Sequence, residues 1–561
     1  MKKIFLILPL IVVSLFATNS FVVCHSGCSY SNIQSAIDDL NNSKGEYDIY
    51  IKAGTYNQSF NIVNKSVHII GEDATNTILD ENGGRRAINL NLTQDDKNVT
   101  IENLQIKNGY ADSGGAIYTR GGSVLNSRLT LRNMIFDNCS AQYGAGAVGI
   151  DNYIYVVIEN CKFIGNHSEE GGALWTYTNS IKIVHSEFDT NSASGKGGAL
   201  YDKSDKNILI DNSIFYKNSS GSGGALYTEK SVKIKDSWFV QNRAENGGGA
   251  IFDNGYSLKI ENSILVQNIT QANTGGAIKS TYGGYGAKLF DIESSNLIDN
   301  STDANTSGDG LWIVRSGYKS VTIKNSILNN GENDLYIDKN ADNNETENPI
   351  IMFSNVFGHK WNIGNDAYKY NHNIHDNTIL VDANSSLFVD SQNLDFSLSE
   401  NSILKDASID DAYLPYDMVG TARPQGNSGD IGACEAPSIC KFKATKKIVP
   451  VCTISSQNYL AKTVTIHVKN GWNLKSVPYF APVKLSNLLQ DKGNYIRTIW
   501  FWNEETYKWS VYSPDPSIQS ILQDYSTLNL LNIDDTINVG QGFWIDAKSS
   551  FDFDVPVFIT Q

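Results

Sequence analysis

Acidic pairs and scattered histidines are the side chains of this 561-residue chain that could do acid–base or metal chemistry. Cleaving a sugar polymer needs a base or a set of carboxylates, in some cases with a cation, converging on one face of the fold. The candidates are Glu169–Glu170, His185, Gly358–His359–Lys360, His372 with His375, and Asp410–Asp411. The acidic pairs are typical of solvated turns, His372 and His375 lie in an Asn-rich stretch, and His185 occupies an Asn position of a repeat. The sequence therefore assigns no catalytic residue and no metal ligand.

The composition excludes two classes of protein. The formal net charge is −15, which argues against binding to a nucleic-acid backbone. Charged residues make up 19% and hydrophobic residues 41%, a balance that a disordered polyelectrolyte does not have. The 46 glycines and the frequent Asn predict many turns, in a chain where helices do not dominate. We therefore expect a folded, acidic, mainly β protein.

Two motifs alternate along the chain with a period of about 26 residues. The first, of the form Ile-x-Asn-Ser-x-Phe, occupies 101–106, 131–136, 158–163, 183–188, 210–215, 234–239, 260–265, 292–297 and 323–328. The second, of the form Gly-Gly-Ala-Leu-Tyr, occupies 114–118, 145–149, 171–175, 197–201, 223–227, 248–252, 275–279 and 308–312. No segment is long enough for one helix per repeat, so we predict an all-β, parallel β-helix in which each period is one coil. The Asn of the first motif predicts a left-handed bend between two strands, with Asn side chains hydrogen-bonded from coil to coil.

The chain divides into four predicted parts. They are a signal peptide at 1–20, a β-helix at 25–440, a basic linker at 441–461 and a small Trp-rich β domain at 462–561. The capping-box pattern Ser31–Gln34 predicts a short helix that covers one end of the β-helix, and residues 422–434 are expected to close the other end. Export permits disulfides, so we expect a Cys24–Cys28 bridge and one pair among Cys434, Cys440 and Cys452.

The repeats resemble two known groups of proteins. Phe163-x-x-Asn166 and its later copies, interleaved with Gly-Gly-Ala-Leu, are similar to the repeats of chlamydial polymorphic outer-membrane proteins. The N-terminal cap, Gly54-Thr-Tyr56 and the closing Asp430-Ile-Gly-Ala-Cys-Glu435 resemble the wider class of pectin-lyase-like, right-handed parallel β-helix proteins. The first resemblance implies surface display and adhesion, and the second implies polysaccharide lyases and hydrolases. Members of the first family continue into an outer-membrane barrel, for which residues 441–561 are too few, so we expect secretion or attachment by another route.

One column of side chains points to a ligand. The fourth residue of each Gly-Gly-Ala motif is aliphatic, so strand alternation would turn the fifth residue outward. The aromatic members of that position are Tyr118, Trp175, Tyr201, Tyr227, Phe252 and Trp312. We predict that they form an exposed stripe, with rings about 4.8 Å apart, that binds a ligand or receptor. The alternative is that loops of the variable turns cover the stripe.

Two functions remain open at this stage. The first is a secreted or surface-displayed β-helix protein that binds a glycan or a host or cell-surface receptor without catalysis and without a cofactor. The alternative is a polysaccharide lyase or glycoside hydrolase of the pectin-lyase-like class, with Ca²⁺ as the cation if it is a lyase. Either protein would lie outside the cell or at the outer-membrane surface, bind no nucleic acid and have no transmembrane span in the mature chain.

Overall fold

The computed structural model describes most of the chain. The described residues are 20–40, 47–121, 126–206, 208–272, 274–281, 288–303, 309–314, 318–330, 334–338, 350–358, 361–363, 376–380, 387–408, 413–443, 460–468, 470–476, 483–484, 492–503, 508–515, 517–519, 528–530, 536–537 and 542–559. The chain forms two compact units, Met1–Thr453 and Ile454–Gln561. Each unit is described by itself below.

The first unit is a right-handed parallel β-solenoid of about 11 turns, as predicted. A typical coil contributes two strands separated by a bend, then a third and a fourth strand, and equivalent strands pair in parallel from coil to coil. We name the resulting sheets 1, 2 and 3 in the order in which a coil visits them.

Sheet 1 contains the first two strands of each coil, so it consists of two parallel ladders side by side. The first ladder is Ser20–Val23, Tyr47–Ile51, Val67–Gly71, Asn98–Glu102, Arg128–Arg132, Tyr155–Glu159, Ser180–Val184, Ile208–Asp211, Val232–Lys235, Ser257–Glu261, Lys288–Glu293 and Tyr318–Lys324. The second is Gly54–Tyr56, Thr77–Asp80, Gln105–Lys107, Ile135–Asp137, Lys162–Ile164, Glu187–Asp189, Ile214–Tyr216, Trp238–Val240, Ile264–Val266, Asn296–Ile298 and Ile327–Asn329. Ile350–Gly358 pairs with both ladders, and Asp376–Leu380 pairs with it.

Sheets 2 and 3 complete the coils. Sheet 2 is Tyr110–Ser113, Ser140–Gly144, His167–Glu170, Ser192–Lys196, Ser219–Ser222, Arg243–Ala244, Ile269–Thr270 and Ser301–Thr302. Sheet 3 follows the Gly-Gly-Ala motif and is Phe60–Val63, Ile88–Leu92, Ile117–Gly121, Val148–Asp151, Leu174–Tyr177, Leu200–Asp202, Leu226–Thr228, Ile251–Asp253, Ile278–Ser280, Leu311–Val314, Leu335–Asp338 and Trp361–Ile363. The first strand of the solenoid begins at Ser20, before the predicted start at residue 25.

The predicted bends and ladders are present. The bend residues between the two strands of sheet 1 have positive φ, for example Asn133 at 52° and His185 at 50°. The amide of Asn133 donates to Asn103 Oδ1 at 2.9 Å, and that of Asn160 donates to Asn133 at 2.7 Å. A second, fully buried ladder runs through Asn166, Asn191, Asn218, Asn242, Asn268, Asn300 and Asn330. Inside the same coils, Phe136, Phe163, Phe188, Phe215 and Phe239 stack with ring centroids 4.6 to 4.7 Å apart.

The Gly-Gly-Ala motif needs its glycines for two different reasons. The first Gly turns the chain with a positive φ, as at Gly197 with 63°. The second is pressed against the neighbouring coil: a Cβ on Gly198 would lie 2.1 Å from the carbonyl oxygen of Gly224. The motif therefore permits coils to stack at strand spacing where sheet 2 turns into sheet 3.

The N-terminal helix and the disulfides follow the prediction with one correction. The helix Ile33–Asp38 buries Ile33, Ala36 and Ile37 against the first coil, but its N-cap is Asn32, whose side chain accepts from Ser35 N, and not Ser31. Disulfides join Cys24 to Cys28 and Cys434 to Cys440, whereas Cys452 lies outside the described residues.

The closing segment does not lie where we predicted. The described residues of the segment 387–443, which are 387–408 and 413–443, pack on the outer side of the second ladder of sheet 1. They include the strands Phe388–Asp390 and Asp395–Leu398 and the 3-10 turn Ser391–Asn393. Ala433 N donates to Asn296 Oδ1, and Asn262 donates to Tyr416 O. The segment covers outward apolar side chains of several coils, so the prediction that 422–434 closes the end of the column is wrong.

The second unit is a small β structure. A five-stranded sheet contains Gly471–Ser476, Gly542–Ala547, Ile496–Asn503, Lys508–Tyr512 and Leu528–Leu530. Leu460–Val468 pairs with Phe551–Ile559, Val483–Lys484 pairs with Thr536–Ile537, and Lys492–Tyr495 is a 3-10 turn. Trp500 and Trp544 are neighbours across two antiparallel strands; Trp500 is half-buried and donates to Thr498, and Trp544 is exposed.

Candidate functional site

The predicted column on sheet 3 exists. The aliphatic residue that follows Ala in each motif, such as Leu174 or Leu200, is fully buried inside the solenoid. The strand register then aligns the next residues of successive coils, which are Tyr118, Gly149, Trp175, Tyr201, Tyr227, Phe252, Lys279 and Trp312. The same register extends the column by Tyr336, whose ring lies 4.6 Å from that of Trp312. We call this set the aromatic column.

The exposure of the aromatic column differs from the prediction at its centre. Tyr201 has no solvent exposure and Tyr227 only 7%, so these two rings do not belong to an exposed stripe. The other four aromatic candidates, Tyr118, Trp175, Phe252 and Trp312, are half-buried. The column therefore presents two partly exposed stretches on either side of a covered centre.

Charged side chains cover the centre. The hydroxyl of Tyr201 donates to Glu229 Oε1 at 2.7 Å, and Lys196 Nζ lies 3.2 Å from the same oxygen. Lys196 also lies over the ring of Tyr227, at 4.7 Å from its centroid. Lys203 lies over the ring of Tyr201 at 4.9 Å. These contacts replace the water that would otherwise reach the two rings.

The rings do not repeat with the uniform stacking that we expected. Tyr227 and Phe252 stack, with centroids 4.8 Å apart and an interplanar angle of 20°. Tyr201 instead meets Tyr227 edge-on, at 5.3 Å and 89°. Tyr201 differs from Phe252 in having a hydroxyl, which donates a hydrogen bond to Glu229.

Cations accompany the aromatic column along its length, a feature that we did not predict. Arg86 and Arg120 approach the ring of Tyr118 at 4.9 and 5.7 Å, and Lys279 approaches that of Phe252 at 5.1 Å. Arg120 and Lys203 stand two residues after their aromatic partners, which is the next outward position of a strand. Reading that second position in the sequence would have shown these two cations, but not Arg86, Lys196 or Lys279. Contacts of this kind contribute about 0.5–1 kcal/mol each at exposed sites.

The charge states of the covered centre are fixed by its contacts. Burial raises the pKa of Tyr201, and the hydrogen bond to Glu229 raises it further. Burial also works to raise the pKa of Glu229, but hydrogen bonds from Tyr201 and Lys196 outweigh it, so this pKa is lowered. Outside the covered centre, at Phe252, burial lowers the pKa of Lys279. Glu229 is thus an ionised acceptor that is already engaged, which suits a structural contact better than proton transfer.

The catalytic candidates of the sequence do not form a set. His185 is an exposed bend residue with φ 50°, which confirms its Asn-like role. Glu169 is exposed and Glu170 half-buried in a strand of sheet 2. His359, Lys360, His372, His375, Asp410 and Asp411 lie outside the described residues. Within the described part of the chain, no three His, Cys, Asp or Glu side chains converge as a metal site requires.

A shallow groove of about 450 Å³ lies on another side of the solenoid. Gln241, Asn242, Arg243, Gln267, Ile269 and Asp299 line it, at the corner between sheets 1 and 2. Asp299 is the single carboxylate of this lining, and burial of its surroundings raises its pKa. One carboxylate cannot supply the acid and base pair that glycoside hydrolysis uses.

Comparison with known proteins supports the fold. Residues 75–239 match the sequence profile of a family described as a right-handed β-helix region. No curated protein matches the chain. No helix among the described residues is long and apolar enough to cross a membrane.

Several solved structures resemble the chain at low identity. Pectate lyase Pel9A is 14% identical, with a TM-score of 0.36, over 75% of this chain and 97% of that one. The catalytic domain of a GH87 alpha-1,3-glucanase is 14% identical, with a TM-score of 0.31, over 65% and 68%. The PL6 polysaccharide lyase Pedsa3628 from Pseudopedobacter saltans is 11% identical, with a TM-score of 0.28, over 65% and 97%. Likenesses this distant transfer no activity to the chain.

Proposed function

We propose that the protein is exported and binds a glycan on the outer face of sheet 3, without catalysis. The observation on which the proposal rests is the aromatic column, in which Trp175, Phe252 and Trp312 stay partly exposed on a regular parallel sheet. Flat aromatic faces suit the apolar faces of sugar rings, and a ligand that runs along the column can contact several coils. Since the parallel sheet holds the rings in place, binding would need little ordering of the protein.

Polar groups beside the column would fix the orientation of a sugar chain. The next outward position carries Asp151, Tyr177, Lys203 and Glu229, and the cations Arg86 and Lys279 lie at other rings. Glu229 and Asp151 already accept from Tyr201 and Tyr118 and hold those rings in place. The hydroxyl of Tyr177 and the cations are donors for a sugar chain, and the cations are suited to acidic sugars. Because the whole chain has a net charge of −15, it would repel an acidic glycan in general. The cations beside the aromatic column would attract such a glycan locally.

The cell-surface location is part of the same proposal. It is supported by the apolar run preceded by Lys2 and Lys3 and by two disulfides, which persist in oxidising compartments. The similarity of the Phe-x-x-Asn and Gly-Gly-Ala repeats to those of polymorphic outer-membrane proteins points to adhesion.

The experiment compares two variants on a glycan array that holds neutral and uronate-containing chains. Trp175→Ala with Phe252→Ala removes two partly exposed rings, and Tyr143→Ala, which removes a 54% exposed ring from sheet 2, is the matched control. At about 1.4 kcal/mol per ring, the double variant should lose roughly a hundredfold in affinity and the control none. Equal affinities of the three proteins would contradict the proposal. Tyr201 and Tyr227 are unsuitable targets because their rings are buried.

The enzyme alternative is tested with the same preparation. Pectate, alginate and chondroitin are incubated with the protein, with and without Ca²⁺, and unsaturated uronate is followed by ultraviolet absorbance. We expect no product. Product formation on any of these polymers would replace the binding function with a lyase.

A further inference from the structure

A lysine and an aspartate form an ion pair inside the solenoid, with no solvent exposure of either side chain. Lys288 Nζ lies 2.6 Å from Asp253 Oδ2. Asp253 is the last residue of a sheet 3 strand. The chain then passes through the sheet 1 strand Ser257–Glu261 and one whole coil before it reaches Lys288, the first residue of the following sheet 1 strand. The two residues are 35 positions apart in the sequence. Lysine is almost never fully buried, and a buried ion pair is weak evidence for stability. We therefore ask what else the contact between Lys288 and Asp253 does.

The carboxyl group of Asp253 is polarised from both sides. Gly255 N donates to Oδ1 at 3.0 Å, and the Ser280 hydroxyl donates to Oδ2 at 2.6 Å. Lys288 Nζ in turn donates to the carbonyl oxygen of Thr281 at 2.6 Å, which holds the amine beside the carboxyl group. A donor on each oxygen withdraws electrons from the carboxyl carbon, as the donors of an oxyanion hole do.

Burial works against the charged form of Lys288. Burial lowers the pKa of the Lys288 amine, although Asp253 works against this effect. Transfer of one proton from the ammonium to the carboxylate produces a neutral amine next to a neutral carboxylic acid. Those are the two partners of amide formation, and bulk water is excluded from both.

We propose that Lys288 and Asp253 are joined by an intramolecular isopeptide bond. The lone pair of Nζ attacks Cγ of Asp253, and the Gly255 N–H stabilises the negative charge that develops on Oδ1. Oδ2 leaves as water, carrying its own proton and one from Nζ, with the Ser280 hydroxyl placed to relay the proton. The reaction is a condensation that consumes no oxidant or reductant, and its products are one amide and one water.

The bond would link the end of a sheet 3 strand to the sheet 1 strand that begins two coils later, across the intervening coil. Because it closes a loop of the chain, it would restrict the unfolded state as a disulfide does, and reducing agents would not break it. This proposal does not depend on glycan binding by the aromatic column.

The test is the intact mass of the reduced, denatured full chain, followed by a tryptic digest. We expect a mass one water below that calculated for the same chain, counted from its measured N-terminus, and a branched peptide that joins the segments containing Asp253 and Lys288. Lys288→Met should show no loss of water and no branched peptide. Lys259→Met, which removes a surface lysine, should lose one water and give the branched peptide as the wild type does.

Two results would overturn the proposal. One is a wild-type chain with its full calculated mass and separate peptides, which would show that the two residues form only an ion pair. The other is a chain lighter by one water whose two peptides remain separate, since a succinimide at Asp253 would explain it. Both results come from the wild-type chain, so they decide the question even if Lys288→Met does not fold.

Discussion

The buried Asn ladder predicts that one amide side chain stabilises three consecutive coils. Asn218 is fully buried and takes part in four hydrogen bonds through its side chain. Its Oδ1 accepts from the backbone and side-chain nitrogens of Asn191, both at 3.0 Å. Its Nδ2 donates to Phe188 O at 2.9 Å and to Asn242 Oδ1 at 3.0 Å. Asn218→Ala would remove all four bonds and leave their partners in a dry interior.

The magnitude follows from those four bonds. A typical hydrogen bond contributes about 1 kcal/mol net, and a buried group left without a partner costs about 1–3 kcal/mol. We therefore expect Asn218→Ala to lower the free energy of unfolding by about 4 kcal/mol or more. The matched control is Asn212→Gly in the same coil, because Asn212 is exposed and Gly adopts its positive φ of 45° without strain. The control should change stability by less than about 1 kcal/mol.

The assay must report on single coils, because repeat arrays do not always unfold in one step. Hydrogen exchange followed by mass spectrometry measures the opening of each coil, and a loss of about 4 kcal/mol corresponds to roughly a thousandfold faster exchange. We expect this increase in peptides that contain Asn191 and Asn242 as well as residue 218. An effect no larger than that of Asn212→Gly would refute the conclusion that the ladder stabilises the stack.

Two further predictions concern the interior of the solenoid. Burial raises the pKa of Asp202 to about 6 despite hydrogen bonds from Thr176, Ser204 and Thr228. Its contribution to stability is therefore fully present below the unfolded pKa near 3.9 and lost as the pH rises through 6. Between pH 4 and pH 7 the free energy of unfolding of the wild type, measured by urea titration, should fall by roughly 3 kcal/mol relative to that of Asp202→Asn. If the difference between the two proteins does not change with pH, the raised pKa of Asp202 is contradicted. Gly198→Ala places a Cβ 2.1 Å from a carbonyl oxygen and should lower the denaturation midpoint clearly more than Gly165→Ala, where the φ of 62° is strained for Ala but the space is open. Equal midpoints would contradict the close packing.

Local repetition is what made the fold predictable. Each coil repeats the same bend and the same alternation, so an exception such as His185 was still assigned correctly from its place in the motif. The free thiols Cys139 and Cys161 can be understood in the same way. Cys139 takes an Asn position and Cys161 a Ser position, and burial raises the pKa of each to about 12. Their backbone nitrogens donate to Asn166 and Ser186 of the next coil, so they are unreactive members of the ladders.

The exposure of the aromatic column was not predictable, because it depends on side chains from other coils. Tyr201 is covered by Glu229, which is 28 residues away, and by a lysine of its own coil. Such contacts depend on the directions of long side chains, which the repeat pattern does not encode. The position of residues 387–443 did leave a signal that we missed. The fifth residue of the first motif is polar at Lys162 and Glu187 but apolar at Ile214, Trp238 and Ile264. An apolar outward row on a sheet requires a cover, and the segment supplies it.

The location of the proposed site follows from how the outward surfaces are used. On the first ladder of sheet 1, outward charges are paired from coil to coil, as Arg132 is with Glu102 and Glu159. Several coils of the second ladder are covered by residues 387–443. Sheet 2 presents mainly short or charged side chains, such as those of Ser192–Lys196. Sheet 3 is the described surface where large rings recur in every coil from Trp175 to Phe252, and where part of their area stays open. Because the inward positions are taken up by ladders and core, recognition by this solenoid has to use an outward face, and sheet 3 offers the rings for it.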